Sequence, residues 1–264
     1  MLDMLFAVFY FVLLYMSVFL MLTLTEQGEF RSDLKPDKPG KWPFISVIVP
    51  AFNESATIKR VINSVLGLDY PKDKLEIIVV DDGSTDNTSE IVKGMKGSRI
   101  KLLGQPRRGK GAALNLGMDH AKGGFVACLD ADSYVSPGSL KEMVVNFNDD
   151  GIAAVTPVMR VHNPKTLLEK VQYVEYLLAV YMKKLLSHIN SINVTPGPFS
   201  IYRADVLRSI GKFDEDSVVE DQEIAYRIQQ NNYRIVQSDR GDVYTAAPKN
   251  LGDLYRQRKR WYKG

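Results

Sequence analysis

An α/β fold, with a mostly parallel sheet and helices on both faces, is predicted by three observations. Short apolar runs alternate with stretches of helical apolar spacing between residues 45 and 129. Those runs end in acidic and turn-forming residues, namely Asn53-Glu54, Asp81-Asp82 and Asp130. The length of 264 residues, 45% of them hydrophobic, is enough to bury one large core.

Residues 4–25 contain no charge and are rich in Leu, Phe, Val and Met. At about 22 residues this run is long enough for a bilayer-spanning helix. A cleaved signal peptide would need a basic start, a shorter core and a small-residue cleavage site, and none is present. A transmembrane helix is therefore expected over 1–25, followed by a polar linker over 26–43. Arg31, Lys35, Lys38 and Lys41 follow the apolar run and none precedes it, which predicts a cytoplasmic catalytic domain beside a lipid bilayer.

Strands are then predicted over 45–49, 75–80, 100–103 and 125–129. Helices are predicted over 55–66, capped by Asn53 or Ser55, and over 88–95 and 111–120. Open sheets of this kind bind ligands beyond the carboxyl ends of their strands. Asn53-Glu54, Asp81-Asp82 and Asp130-Asp132 all fall at such ends, so distant segments should meet in one crevice. In the second half, a long helix over 165–189 either packs on the core, the simpler reading, or lies on a membrane surface. A strand over 199–202, a helix over 221–230 and a strand over 234–236 complete the pattern. The expected domain covers 44–264, in two halves, 44–133 and 134–264.

The net charge of +3 and pI near 8.7 carry no concentrated basic stripe, so nucleic acid is not an expected partner. Cys128 is the one cysteine, which excludes an internal disulfide and predicts a small buried residue.

The chemistry lies in carboxylates. Asp130 and Asp132 sit two apart in an extended segment, so both can face one Mg or Mn ion holding a diphosphate. Asp81 and Asp82 precede the turn Gly83-Ser84-Thr85, and Asp86 or Thr88 could cap the next helix. Arg107, Arg108 and Lys110 occupy a Gly-containing loop before a helix, where Arg108 and Lys110 could contact base or diphosphate. Glu220 and Asp221 fall at a helix N-terminus, where the dipole should lower their pKa. Gln257, Arg260 and Trp261 share one face at helical spacing, offering a clamp and a stacking platform.

VVDDGSTD (79–86), LDADS (129–133), VVEDQE (218–223) and QRKRW (257–261) occur in this order. The order resembles that of the inverting family 2 glycosyltransferases. It is most similar to the membrane synthases of cellulose, hyaluronan, chitin and poly-N-acetylglucosamine, over residues 44–261. The resemblance implies a GT-A (Rossmann-like) fold and a metal-dependent transfer from a UDP-sugar donor to a glycan or lipid-linked acceptor. It assigns the general base to Asp221, with Glu220 in support. Asp82 is assigned to the uracil imide, and Asp130 and Asp132 to metal and diphosphate. Pro50, Ala51, Phe52 and Glu54 match the P-A-Y-N-E segment that lines base and ribose; Phe52 keeps a stacking face and loses a hydroxyl. Gln257, Arg260 and Trp261 match Q-x-x-R-W, typical of processive enzymes. Gly197 and Phe199 resemble a segment lining the acceptor site.

In the resembled synthases further membrane helices follow Q-x-x-R-W. A translocation channel is therefore expected in a longer parent chain or not at all. Transfer of one sugar to a polyprenyl phosphate is the alternative activity. A nucleotidyltransferase is disfavoured, because PAFNES replaces its G-x-G-x-R loop. The sequence leaves homo-oligomerisation open.

Overall fold

The computed structural model describes residues 2–30, 40–95, 97 and 99–262. The chain divides into two compact units, Met1–Lys38 and Pro39–Gly264.

In the first unit, helix α1 spans Leu2–Phe30. Its described apolar side chains, from Met4 to Leu22, are largely exposed. Among the described residues, no helix is long and apolar enough to cross a membrane. The span expected over 1–25 is thus helical from Leu2 on but is not established as a membrane crossing. Residues 26–30 of the expected linker belong to α1. Its 31–39 part, with Arg31, Lys35 and Lys38, lies outside the described residues.

In the second unit, strands β1 (Ile45–Ala51), β2 (Leu75–Asp81), β3 (Ile100–Gly104) and β4 (Phe125–Cys128) form the parallel block β3-β2-β1-β4. Successive side chains of a strand point to opposite faces. On one face Val47, Val49, Ile77 and Val79 pack with Val61, Ile62 and Val65 of helix α2 (Ile58–Leu66). On the other face Ile48, Ile78 and Val80 pack with Ala113, Leu114 and Met118 of helix α4 (Lys110–His120). Each fully buried Val, Ile or Leu contributes about 1.5–3 kcal/mol, so truncating Ile48 or Ile78 would open the block. Cys128 is buried in the same core.

Boundaries differ from expectation in informative ways. β1 runs on through Pro50, because β4 has its last pair at Ile48–Cys128 and Pro50 needs no ladder bond there. α2 begins at Ile58, after Thr57, and neither Asn53 nor Ser55 caps it. Helix α3 (Thr88–Gly94) has Asn87, not Asp86 or Thr88, at its N-cap position and no side-chain cap there; Asp86 accepts from the Thr88 N–H at 3.0 Å.

The rest of the sheet is mixed. β7 (Ser200–Arg203), β6 (Ile152–Val161), β8 (Arg234–Thr245) and β5 (Tyr134–Val135) extend it in the order β4-β7-β6-β8-β5. β4–β7, β7–β6 and β8–β5 pair antiparallel, while β6 and β8 pair parallel. Strands β5 and β6 and the helices α5 (Ser139–Val144) and α7 (Ala204–Ser209) were not predicted, and β8 is far longer than 234–236. Pro157 interrupts β6, and the ladder absorbs it by a register shift between Thr156 and Val158. β8 carries polar Gln237 and Ser238 in its interior. Gln237 is buried because its amide bonds the backbone oxygens of Pro157 and Ser238, each at 3.0 Å.

Helix α6 (Leu167–His188) starts with a capping box between Thr166 and Glu169. It buries Gln172, Tyr176 and Leu185 but exposes Val171, Val174, Leu178 and Met182. Simple core packing thus accounts for only one face of it. Helices α8 (Glu220–Gln230) and α9 (Leu251–Trp261) carry the last two motifs.

Candidate active site

β1, β2 and β4 are adjacent and parallel, so their carboxyl ends share one edge of the sheet. The Asp82 N–H donates to the Ala51 carbonyl at 2.9 Å, and the Leu129 N–H to the Ile48 carbonyl at 2.9 Å. These bonds bring the PAFNE, Asp81-Asp82 and Asp130-Asp132 segments side by side.

Asp81 is a buried turn anchor, accepting from the Ser84 N–H and the Ser89 hydroxyl. Those bonds outweigh its burial and hold its carboxyl below the usual range. Asp82 is 3% exposed. Its carboxylate accepts from Gln105 Nε2 at 2.7 Å, the Arg108 N–H at 2.8 Å and the Gly109 N–H at 2.9 Å. Asp82 therefore fastens the 105–109 loop to the end of β2. Gly83, at φ 76°, is required here, because a Cβ would lie 2.8 Å from the Arg107 nitrogen. The Arg107 guanidinium covers the Phe52 ring, 3.3 Å from its centroid. Arg108, named as a site residue from sequence, instead turns its side chain to Glu215 at 2.7 Å. Glu54 opens the next segment; burial, with Asp132, Asp130 and Asp86 nearby, raises its pKa despite a bond from Thr57.

Lys110 occupies the centre. Its Nζ lies 2.7 Å from Asp130 Oδ1 and 2.7 Å from Glu220 Oε1. Burial pushes the ammonium down, but the two carboxylates outweigh it and hold Lys110 well above the usual lysine range. Lys110 thereby joins the donor-side edge to the N-terminus of α8. Gly197 backs this pair: a Cβ there would meet Lys110 Nζ at 2.5 Å and Asp130 Oδ2 at 2.7 Å. Gly197, expected to line the acceptor site, thus lies against the Lys110–Asp130 pair, where a side chain has no space. Phe199 is not an open acceptor surface. It is 0% exposed, in the core beneath β7, at φ 63°, a conformation costing a bulky residue about 1–3 kcal/mol.

Asp221 follows Glu220 at the start of α8, its carbonyl accepting from Thr195 N at 3.0 Å and Thr195 Oγ1 at 2.9 Å. Its pKa is raised, contrary to the helix-dipole expectation. Burial is the largest cause, Glu220 and Asp130 add to it, and Lys110 and Lys183 oppose it. Lys183 lies on α6. Its burial pushes its pKa down to about 8.

The metal expectation can be set against the donor set. Asp132 is exposed at the surface, yet partial loss of hydration among its neighbours and then Asp130 raise its pKa, with Ser133 and Lys110 opposing. It makes no ion pair among the described residues, whereas Asp130 is committed to Lys110. Among the described residues no three potential ligands converge. A pair of carboxylates without a closed cage fits Mg or Mn, which complete their coordination with phosphate oxygens and water.

The last motif lies on α9, whose start is capped by Asn250. Arg258, rather than Arg260, touches the Trp261 ring (4.2 Å to its centroid), and Arg258 also pairs with Glu175 of α6 at 2.5 Å. Trp261 is 39% exposed. Among the described residues Gln257 Oε1 is buried without a partner, and Gln257 lies against Tyr176. Arg260 is exposed.

This sheet, with acidic motifs at its carboxyl edge, defines a GT-A-type fold. The chain belongs to glycosyl transferase family 2, whose model matches residues 46–211. It is 32% identical over 245 residues to a poly-beta-1,6-N-acetyl-D-glucosamine synthase of Staphylococcus aureus, covering 91% of this chain and 59% of that protein. The Staphylococcus epidermidis synthase is 33% identical over 224 residues, covering 83% and 54%. The chain thus spans a little over half the length of these relatives. Among solved structures it is similar to a mannosyltransferase of Pyrobaculum calidifontis in complex with GDP-Man and Mn2+. That match has a TM-score of 0.74 at 26% identity, covering 92% of this chain and 69% of the other. S. aureus TarS 1-349 in complex with UDP-GlcNAc gives a TM-score of 0.63 at 27% identity, covering 78% and 59%.

Proposed function

We propose that the chain is the catalytic segment of a membrane-anchored, inverting glycosyltransferase that moves a sugar from a UDP-sugar to a growing glycan. The observation that carries this reading is Asp221, a carboxyl with a raised pKa held against the donor edge through Glu220 and Lys110. An acceptor hydroxyl gives its proton to Asp221 as its oxygen attacks the anomeric carbon. The bond from that carbon to the diphosphate oxygen breaks, UDP departs, and the configuration inverts. Burial raises the affinity of Asp221 for the proton it must take.

Phe52 with Arg107 offers a face for the base, and Asp82 sets the loop beside it. Asp132 and Asp130 would hold a divalent cation, which neutralises charge on the departing diphosphate when bound. The similarity to structures bound to UDP-GlcNAc and to GDP-Man with Mn2+ supports a nucleotide-sugar donor and a metal. The relatives' names support N-acetylglucosamine polymer synthesis, so UDP-N-acetylglucosamine is the first donor to try. The apolar run of α1 and the exposed Val171, Val174, Leu178, Met182, Leu251 and Tyr255 support membrane attachment, with the catalytic unit cytoplasmic.

The test is product analysis: membranes holding the protein, manganese and a panel of nucleotide sugars, with products sized by mass spectrometry. A ladder of one repeating sugar mass is expected. A single sugar on an extractable lipid would replace the polymer reading with polyprenyl-phosphate transfer.

A further inference from the structure

We infer that a cavity on the far side of Asp132 is a phosphoryl-binding subsite built from Arg60, Lys165 and Lys249. The cavity has a volume of about 350 Å³. Its wall carries those three cations with Asp132, Tyr134 and His162. They come from four separate segments: α2, the β5 region, the loop between β6 and α6, and the loop between β8 and α9.

Charge makes this cavity selective. None of the three cations forms an ion pair among the described residues, whereas twelve other lysines and arginines do. Glu169 also lines the cavity. Its carboxylate caps α6, accepting from the Lys165 and Thr166 N–H groups, each at 2.8 Å, and also feels the charge of Lys249. Three cations against the two carboxylates of Asp132 and Glu169 leave the wall net cationic by one formal charge. The Arg60 guanidinium is fixed 3.8 Å over the Tyr134 ring, which itself stacks on Tyr244 and bonds His162. An arginine fixed on a ring, with two flexible ammonium groups opposite, suits the tetrahedral oxygens of a phosphate.

Asp132 gives the cavity its place in the reaction: it stands at the boundary with the donor edge. The phosphoryl group can come from the nucleoside diphosphate or from a phosphate carried by the acceptor. The inference deepens the transferase reading and rests on it for this pairing of sources, but the binding itself is read without any sugar.

The experiment is calorimetric titration of inorganic pyrophosphate, UDP and uridine into the metal-free protein, comparing wild type with Arg60→Gln and Lys249→Gln. Both positions are exposed, and unchanged uridine affinity reports an intact fold. Pyrophosphate affinity should fall about tenfold or more in each variant. A parallel fall for UDP assigns the subsite to the donor; unchanged UDP affinity assigns it to the acceptor's phosphate. A wild type that does not bind pyrophosphate, or variants that bind it equally well, would overturn the inference. Failure of uridine to bind, with pyrophosphate binding intact, would count against the nucleotide-sugar reading and leave the subsite standing.

Discussion

The parallel block β3-β2-β1-β4 and the mixed block β7-β6-β8-β5 share one sheet but do different work. In the parallel block, the candidate site residues lie on loops pinned to strand ends. Asp82 holds the 105–109 loop by three hydrogen bonds, and Arg107 closes over Phe52. In the mixed block, the candidate catalytic carboxylates lie at the start of a helix and face cations from elsewhere, Lys110 from α4 and Lys183 from α6. The first is a preorganised cradle; the second is a charge balance. Loss of a cradle residue should weaken binding, and loss of a balancing charge should weaken turnover.

The largest effect should come from Asp221→Asn. Transfer should fall by about 10²–10⁴-fold with the general base removed, while UDP affinity measured by calorimetry stays near wild type. Undiminished turnover would take Asp221 out of the base role. Gly197→Ala should come next, because its methyl would force Lys110 away from Asp130. A loss of about 10²-fold in kcat is expected, on the scale of losing one preorganised charged contact, and a wild-type kcat would show that the pair is dispensable. Phe52→Ala should raise the UDP Kd by about fivefold, the size of an exposed stacking contact worth about 1 kcal/mol, and leave kcat alone. If kcat fell instead, the two blocks would not divide the labour in this way.

The smallest effect is a pH shift. As the proposed general base, Asp221 must be ionised to act, so activity should fall as pH drops through its pKa. Burial raises that pKa, so the acid limb of kcat/KM should lie above the value near 3.9 of an exposed aspartate. Lys183 opposes the rise, so Lys183→Met should move the limb to still higher pH. In the wild type, Lys183 itself loses its proton as pH climbs through about 8, withdrawing that support. An acid limb unmoved by Lys183→Met would show that the two groups do not communicate.

The same contrast explains what could be read in advance. β1 and β2 are buried on both faces, so they appear as continuous Val and Ile runs, and their acidic ends announced the crevice. β6 contains Pro157 and β8 contains Gln237 and Ser238; each looks like a loop until its partner strand supplies the missing bonds. The motif aspartates were legible because they follow apolar runs. The Lys110–Glu220 contact was not, because it joins residues far apart in the chain and leaves no local pattern. The dipole at the start of α8 was read correctly as geometry, but burial outweighs it at Asp221. Trp261 was legible from helical spacing, whereas its stacking partner Arg258 required the fold.

The central claim is that Lys110 couples the donor edge to the catalytic helix. A double-mutant cycle on kcat/KM with Lys110→Met and Glu220→Gln tests it most directly. Groups in one network couple by about 0.5–3 kcal/mol, and the account predicts a value in the upper half of that range. Strictly additive losses would mean that the two halves of the site act independently, and would contradict it.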